Sequence, residues 1–217
     1  MNYSEPCQYS LRLIDKLKSL DTKNVLDFDL INKAIYFARK YHGDQKRKSG
    51  EPYYTHPLEV AYMISEHNLK TDVIVASILH DIIEDTEVTA EMIFDNFSWR
   101  IAQMVDGLTR DRPDGTKLTI EEIITNAYQK QDKEVLLIKL IDRLHNIQNI
   151  ESINSQKQKE LAEETLNDII ITTTIWQNLN LETELISRSF TILYGKKTAD
   201  RKSTRLNSSH SSVSRMP

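Results

Sequence analysis

Residues 76–87 read ASILHDIIEDTE, an apolar helical opening that runs straight into His80, Asp81, Glu84, Asp85 and Glu87. On a helix continuing through 72–83, His80 lies over Glu84 and Asp81 over Asp85, each pair at i, i+4. Like charges at that spacing repel, and acids at a helix C-terminus oppose the helix dipole. A solvated helix end with an acidic turn is therefore a poor account of the stretch, and a cation held among the carboxylates is a better one. Two other places offer matching groups. In KLIDRLHNI (139–147), Asp142, Arg143, His145 and Asn146 interrupt an otherwise apolar helix, with Asp142 and Asn146 on one face. His56 stands directly before Pro57 at a loop-to-helix junction, close to the basic run Lys46, Arg47 and Lys48. Two His plus two Asp make a ligand set for one divalent ion. Mixed imidazole and carboxylate suits Mn2+, Fe2+ or Zn2+, with positions left for water and a phosphate oxygen. Such an ion lowers the pKa of bound water and offsets substrate charge.

These groups must be carried by helices. Apolar spacing predicts helices over 8–20, 30–41, 57–66, 72–83, 132–150, about 157–179, and 182–194. Thr89 and Ser98 open two short ones, and Thr119 with Glu122 three residues on forms a capping box. Thr71 and Asp72 are the expected caps of 72–83. Pro57 fits a first helical turn, where its missing N–H has no partner to lose. Residues 42–57, with Gly43, Gly50 and Pro52, read as a loop, and 110–118 as another with a Pro-Asp-Gly turn. Neither an internal repeat nor a period-2 alternation is present, so the fold class is all-α.

The chain has 217 residues, 39% hydrophobic and 28% charged, an ordinary soluble balance. Five Gly and five Pro favour long helices over many turns. The single Cys7 excludes a disulfide framework and fits a reducing compartment. The opening MNYSEPCQYS has no signal pattern, and no apolar run reaches the ~20 residues of a membrane span. A cytoplasmic protein without a membrane partner is expected. The net charge of −4, less the +4 of residues 201–217, leaves −8 on residues 1–200. So acidic a body argues against nucleic acid as a partner. The Ser- and Arg-rich end has no apolar period and reads as a disordered, non-native tail over 196–217.

The HD pair at 80–81, an upstream His56 and a downstream Asp142 resemble the H…HD…D metal signature of the HD phosphohydrolase superfamily. The flanking segments RKSGEPYYTHPLEVA (47–61), SILHDIIEDTEVT (77–89), MVDGLT (104–109) and LLIKLIDRLHNI (136–147) are similar to the hydrolase domain of RelA/SpoT homologues. That resemblance covers about residues 28–150. It implies an HD-domain bundle of roughly eight to ten helices, with 1–27 an N-terminal helical segment and 28–195 the hydrolase domain. It implies one Mn2+ held by His56, His80, Asp81 and Asp142, with Glu84 and Asp85 orienting and activating the attacking water. Arg47, Lys48, Ser49 and Asn146 would contact the nucleotide. The activity implied is removal of pyrophosphate from the 3′ position of (p)ppGpp, by a small or truncated alarmone hydrolase. Ile147, Gln148 and Asn149 stand where the family has Met-Arg-Thr, and the family's Arg-Lys-Met segment is not evident in 116–133. Another 3′-phosphorylated nucleotide such as NADPH, or binding without turnover, are the alternatives; intact metal and acidic residues argue against the latter. The oligomeric state is not legible. Among the remaining groups, His42 is expected to support the basic loop, His67 to be exposed and His145 to lie off the ligand face. Tyr53 and Tyr54 either stack on a base or pack the loop.

Overall fold

In the computed structural model of the chain, the described residues are 3, 5–112, 115–173 and 179–195. The helical segments are α1 (Gln8–Leu20), α2 (Phe28–His42), α3 (Thr55–Ile64), α4 (Thr71–Leu79), α5 (Ile82–Asp85) and α6 (Ala90–Asn96). They continue with α7 (Trp99–Leu108), α8 (Ile120–Gln129), α9 (Lys133–Gln148), a 3-10 turn at Ile150–Ser152, α10 (Ser155–Thr173) and α11 (Leu179–Tyr194). Extended pairing among the described residues is limited to isolated bridges, Lys46 to Pro52 and Asp111 to Lys117. The fold is all-α as expected. If the four-residue α5 is counted as the sequel of α4, ten α-helices remain among the described residues. The Pro-Asp pair of the expected 113–115 turn, part of the expected 157–179 helix, and the 196–217 tail lie outside the described residues.

The chain divides into two compact units, residues 1–142 and 143–217, and the division falls within α9. In the first unit α4 is the central helix, packed by α2, α3 and α7, while α1 covers α3 and α6 covers α7. Every residue from 73 to 79 is fully buried. A helix apolar on all sides belongs in the middle of a bundle, and burying each Val, Ile or Leu there contributes about 1.5–3 kcal/mol.

The caps largely follow the sequence signals. Thr89 accepts from Met92 N–H, Ser98 from Ile101 N–H, and Thr119 from Glu122 N–H, with Glu122 returning the contact to the Thr119 N–H. Helix α4 departs from expectation at both ends. Lys70 is its N-cap without a side-chain bond, and Thr71 is helical, its hydroxyl accepting the Asp27 N–H at 2.9 Å. At the other end the predicted 72–83 helix stops at Leu79. His80 and Asp81 form a joint, and α5 begins at Ile82.

Gly43 ends α2 at φ +51°, and Gly50 turns the 47–51 loop at φ +91°, both in the left-handed region that a Cβ disfavours. The start of α9 is pinned by charge. Arg100 grips Asp132 with two bonds of 2.6 and 2.8 Å and Glu134 with one of 2.8 Å, while Lys70 reaches Glu134 at 2.7 Å. This clamp sets the register of the helix that carries Asp142.

In the second unit α10 and α11 pack together. Glu182, at the start of α11, is buried and its Oε1 has no partner among the described residues. Burial pushes its pKa up to about 7. Because the folded-state pKa lies above the unfolded value, the folded form binds the proton more tightly. Stability is therefore lost as pH rises from about 4.5 through about 7. Glu182→Gln is expected to raise stability by about 1 kcal/mol at pH 8, after allowance for solvent at the helix end, and to change little at pH 4. Thermal melts of both proteins at the two pH values check this.

Candidate metal centre

His56 is set by the entry to α3. Its N–H bonds to Tyr53 O at 3.1 Å, the Thr55 hydroxyl donates to Pro52 O at 2.8 Å, and Pro57 follows without a lost helical bond. The ring is buried at 3% exposure. His80 is set by the last turn of α4, where its Nδ1 lies 2.8 Å from Ser77 O. A carbonyl can only accept, so Nδ1 carries the hydrogen and donates, and Nε2 is left to face the site. Asp81, one residue on at the joint between α4 and α5, places its carboxylate beside both imidazoles.

The four groups converge. His56 Nε2 is 3.1 Å from Asp142 Oδ1 and 3.4 Å from Asp81 Oδ2. His80 Nε2 is 3.0 Å from Asp81 Oδ1 and 3.7 Å from Asp142 Oδ1. Donor atoms of His56, His80 and Asp142 all fall within 4.8 Å of one another. Buried His80 Nε2 makes no hydrogen bond despite these short approaches. Its lone-pair direction is thus not spent on a protein donor. With metal–ligand bonds of about 2.1 Å, neighbouring donors sit about 3.0–3.4 Å apart at octahedral or tetrahedral angles. The observed spacings bracket that range, and the His/Asp donor set fits a divalent ion.

Electrostatics of the metal-free cluster follow from the same contacts. Burial is the largest single influence on His80 and would lower it, but the Asp81 and Asp142 carboxylates together outweigh it, and the imidazole stands well above its ordinary value. Burial would raise Asp81 and Asp142. The His80 ring beside Asp81, and the Lys139 ammonium with both imidazoles beside Asp142, reverse this and hold both carboxyls well below the usual range.

Glu84 and Asp85 sit on α5, half-buried, one turn beyond Asp81. Burial pushes both carboxyls up; the Arg110 N–H opposes this at Glu84, and the Tyr53 hydroxyl opposes it at Asp85. The Arg110 N–H donates to Glu84 Oε1, and Gln45 Nε2 donates to Asp85 O at 2.6 Å. Gln45 also pairs with His42 Nδ1 at 3.0 Å, and the His42 ring stacks on Tyr53 with centroids 4.9 Å apart. His42 thus supports the loop as expected, and burial pushes its pKa down, favouring the neutral ring.

Of the sequence candidates for nucleotide contact, Arg47 is half-buried and its charge is felt at the Tyr53 hydroxyl. Lys48 and Ser49 are exposed at the tip of the 47–51 turn. Asn146 is half-buried one helical turn after Asp142, where the chain has entered the second unit. His67 is exposed, and His145 is buried with Nε2 3.3 Å from Asn149 Nδ2. Tyr53 uses its hydroxyl on Asp81 Oδ2 at 3.4 Å, whereas Tyr54 is buried with the Arg39 guanidinium 5.2 Å from its ring centre. Sequence reasoning missed three groups around the acids: Gln45, Arg110 and Lys139. Lys139 alone carried a legible signal, its i, i+3 spacing to Asp142.

The chain is 38% identical over 142 residues to the guanosine-3′,5′-bis(diphosphate) 3′-pyrophosphohydrolase of Aquifex aeolicus, covering 63% of this chain and 20% of that protein. It is 40% identical over 149 residues to the GTP pyrophosphokinase of Myxococcus xanthus, covering 65% of this chain and 20% of that protein. The chain therefore spans about a fifth of the length of these curated relatives. A solved structure described as "A metazoan ortholog of SpoT hydrolyzes ppGpp and plays a role in starvation responses" shares the fold. It has a TM-score of 0.56 at 21% identity, over 88% of this chain and 98% of the other. A family model described as HD domain matches residues 34–169, the span that holds all four converging His and Asp side chains, and the chain belongs to the HD domain family.

Proposed function

We propose that this chain hydrolyses the 3′-diphosphate of (p)ppGpp, giving GDP or GTP and pyrophosphate. The observation that carries the reading is the convergence of His56, His80, Asp81 and Asp142 beside the half-buried pair Glu84 and Asp85. The pyrophosphohydrolase name of the Aquifex aeolicus relative supports the choice of substrate. In this reading His56, His80, Asp81 and Asp142 hold one Mn2+. When bound, the ion supplies charge for the phosphate oxygens and acidifies water.

The chain's own residues do the remainder. Glu84 and Asp85, raised by burial, accept the proton of the attacking water and return one to the ribose 3′ oxygen. A water oxygen bonds to the 3′ phosphorus, the bond from phosphorus to the 3′ oxygen breaks, and pyrophosphate departs. Arg47 lies over the nucleotide with Lys48 and Ser49 at the phosphates, and Asn146 contacts the nucleoside. Residues 28–195 form the working domain, and the setting is the cytoplasm.

Among the described residues no helix is long and apolar enough to cross a membrane. At the positions where the RelA/SpoT pattern has Arg and Thr, Gln148 bonds to Glu184 at 3.2 Å and Asn149 to His145 O at 2.8 Å. These side chains serve the second unit's own packing, so nucleotide grip rests more heavily on Arg47. The test is product analysis of the full chain with ppGpp and Mn2+, with NADPH in parallel. Equimolar GDP and pyrophosphate are expected from ppGpp. Phosphate release from NADPH alone would overturn the substrate assignment.

A further inference from the structure

Lys139 occupies an unusual place for an ammonium. Its Nζ is 3.3 Å from Asp142 Oδ2, and the side chain is only 12% exposed. Asp142 divides its oxygens, Oδ1 toward the two imidazoles and Oδ2 toward Lys139, so the ammonium is one carboxylate away from the metal donors. Among the described residues Asp142 is the carboxylate it contacts directly. An ammonium carries three N–H donors, and leaving donors unmet in a nearly closed site is costly. Its charge also reaches Glu84. A structural counter-ion for Asp142 would need one contact of good geometry. This contact is long, and the exposed part of the side chain leaves the ammonium open to an incoming ligand.

The surroundings say what that is. Asp81, Glu84, Asp85 and Asp142 crowd this end of the first unit. A diphosphate entering among four carboxylates needs fixed cations as well as a metal. Arg47 and Lys48 lie on the 47–51 loop, and Lys139 is the cation that touches the metal donors from the α9 side.

We propose that Lys139 Nζ is a further catalytic residue, donating hydrogen bonds to a non-bridging oxygen of the diphosphate presented to the His56, His80, Asp81 and Asp142 donors. This assignment rests on the phosphohydrolase reading above but names a group that reading does not use. Lysine serves as a compact point charge for phosphate, and a donor aimed at developing charge is worth about 10²–10³ in rate.

The test uses the full chain and its Lys139→Met and Lys139→Arg variants, checked for folding by circular dichroism. Inorganic pyrophosphate is titrated calorimetrically into Mn2+-loaded protein, and Mn2+ into stripped protein. Lys139→Met is expected to weaken pyrophosphate binding at least about 10-fold while Mn2+ binds as tightly as before or more tightly, because a cation beside a ligand has been removed. Lys139→Arg recovers part of the pyrophosphate affinity. Unchanged pyrophosphate affinity in Lys139→Met overturns the proposal, and so does a parallel loss of Mn2+, which would make Lys139 a support for Asp142 only. Pyrophosphate alone is the probe, so the result stands whether or not ppGpp proves to be the substrate.

Discussion

His80→Ala is expected to lower metal-dependent release of pyrophosphate from ppGpp by at least about 10³-fold, since a bound metal supplies several kcal/mol of transition-state stabilisation. The side chain is buried at 2% exposure, with Nδ1 held by Ser77 O and Nε2 left for a ligand. Removing it leaves a small cavity and one unmet carbonyl, together about 1–3 kcal/mol. His80→Asn, which keeps a donor for Ser77 O, serves as the milder companion. Both variants should melt cooperatively and lose turnover together. A folded His80→Ala protein that hydrolyses ppGpp at the wild-type rate would remove His80 from the metal centre.

The acidic pair should behave differently. Glu84→Gln and Asp85→Asn keep size and shape but remove the proton acceptor, and a positioned acid or base contributes about 10²–10⁴-fold. We expect losses of that size in kcat for at least one of them, with Mn2+ affinity changed by less than about threefold. Calorimetric Mn2+ titration beside steady-state kinetics separates the two effects. Mn2+ binding lost together with rate would instead make the carboxylate a ligand. The distinction follows from placement: Asp81 touches both imidazoles, whereas Glu84 is turned toward the Arg110 N–H and Asp85 toward Tyr53.

Much of this arrangement was legible before any coordinates. Helical periods and caps such as Thr89, Ser98 and Thr119 depend on local chemistry, and the structure has them as the sequence implies. His80, Asp81 and Asp142 stand out because they interrupt apolar helices, and His56 because it precedes Pro57 beside a basic run. The joint at His80–Asp81 was not legible. LHDIIED contains neither Gly nor Pro, and its period continues unbroken, so tertiary contacts to His56 and Tyr53 override local propensity. Gln45 and Arg110 were missed for another reason. One acts through a side-chain bond to a backbone carbonyl 40 residues away and the other through its own N–H, and neither leaves a trace in residue type.

Four side chains from two helices and a helix joint, proposed to hold one divalent ion for hydrolysis, are the core of the account. The most direct test strips the full chain of metal and follows pyrophosphate release from ppGpp as Mn2+ is added back. The account predicts no release in EDTA and saturation with one Mn2+ bound per chain. Undiminished release from the stripped protein would contradict it.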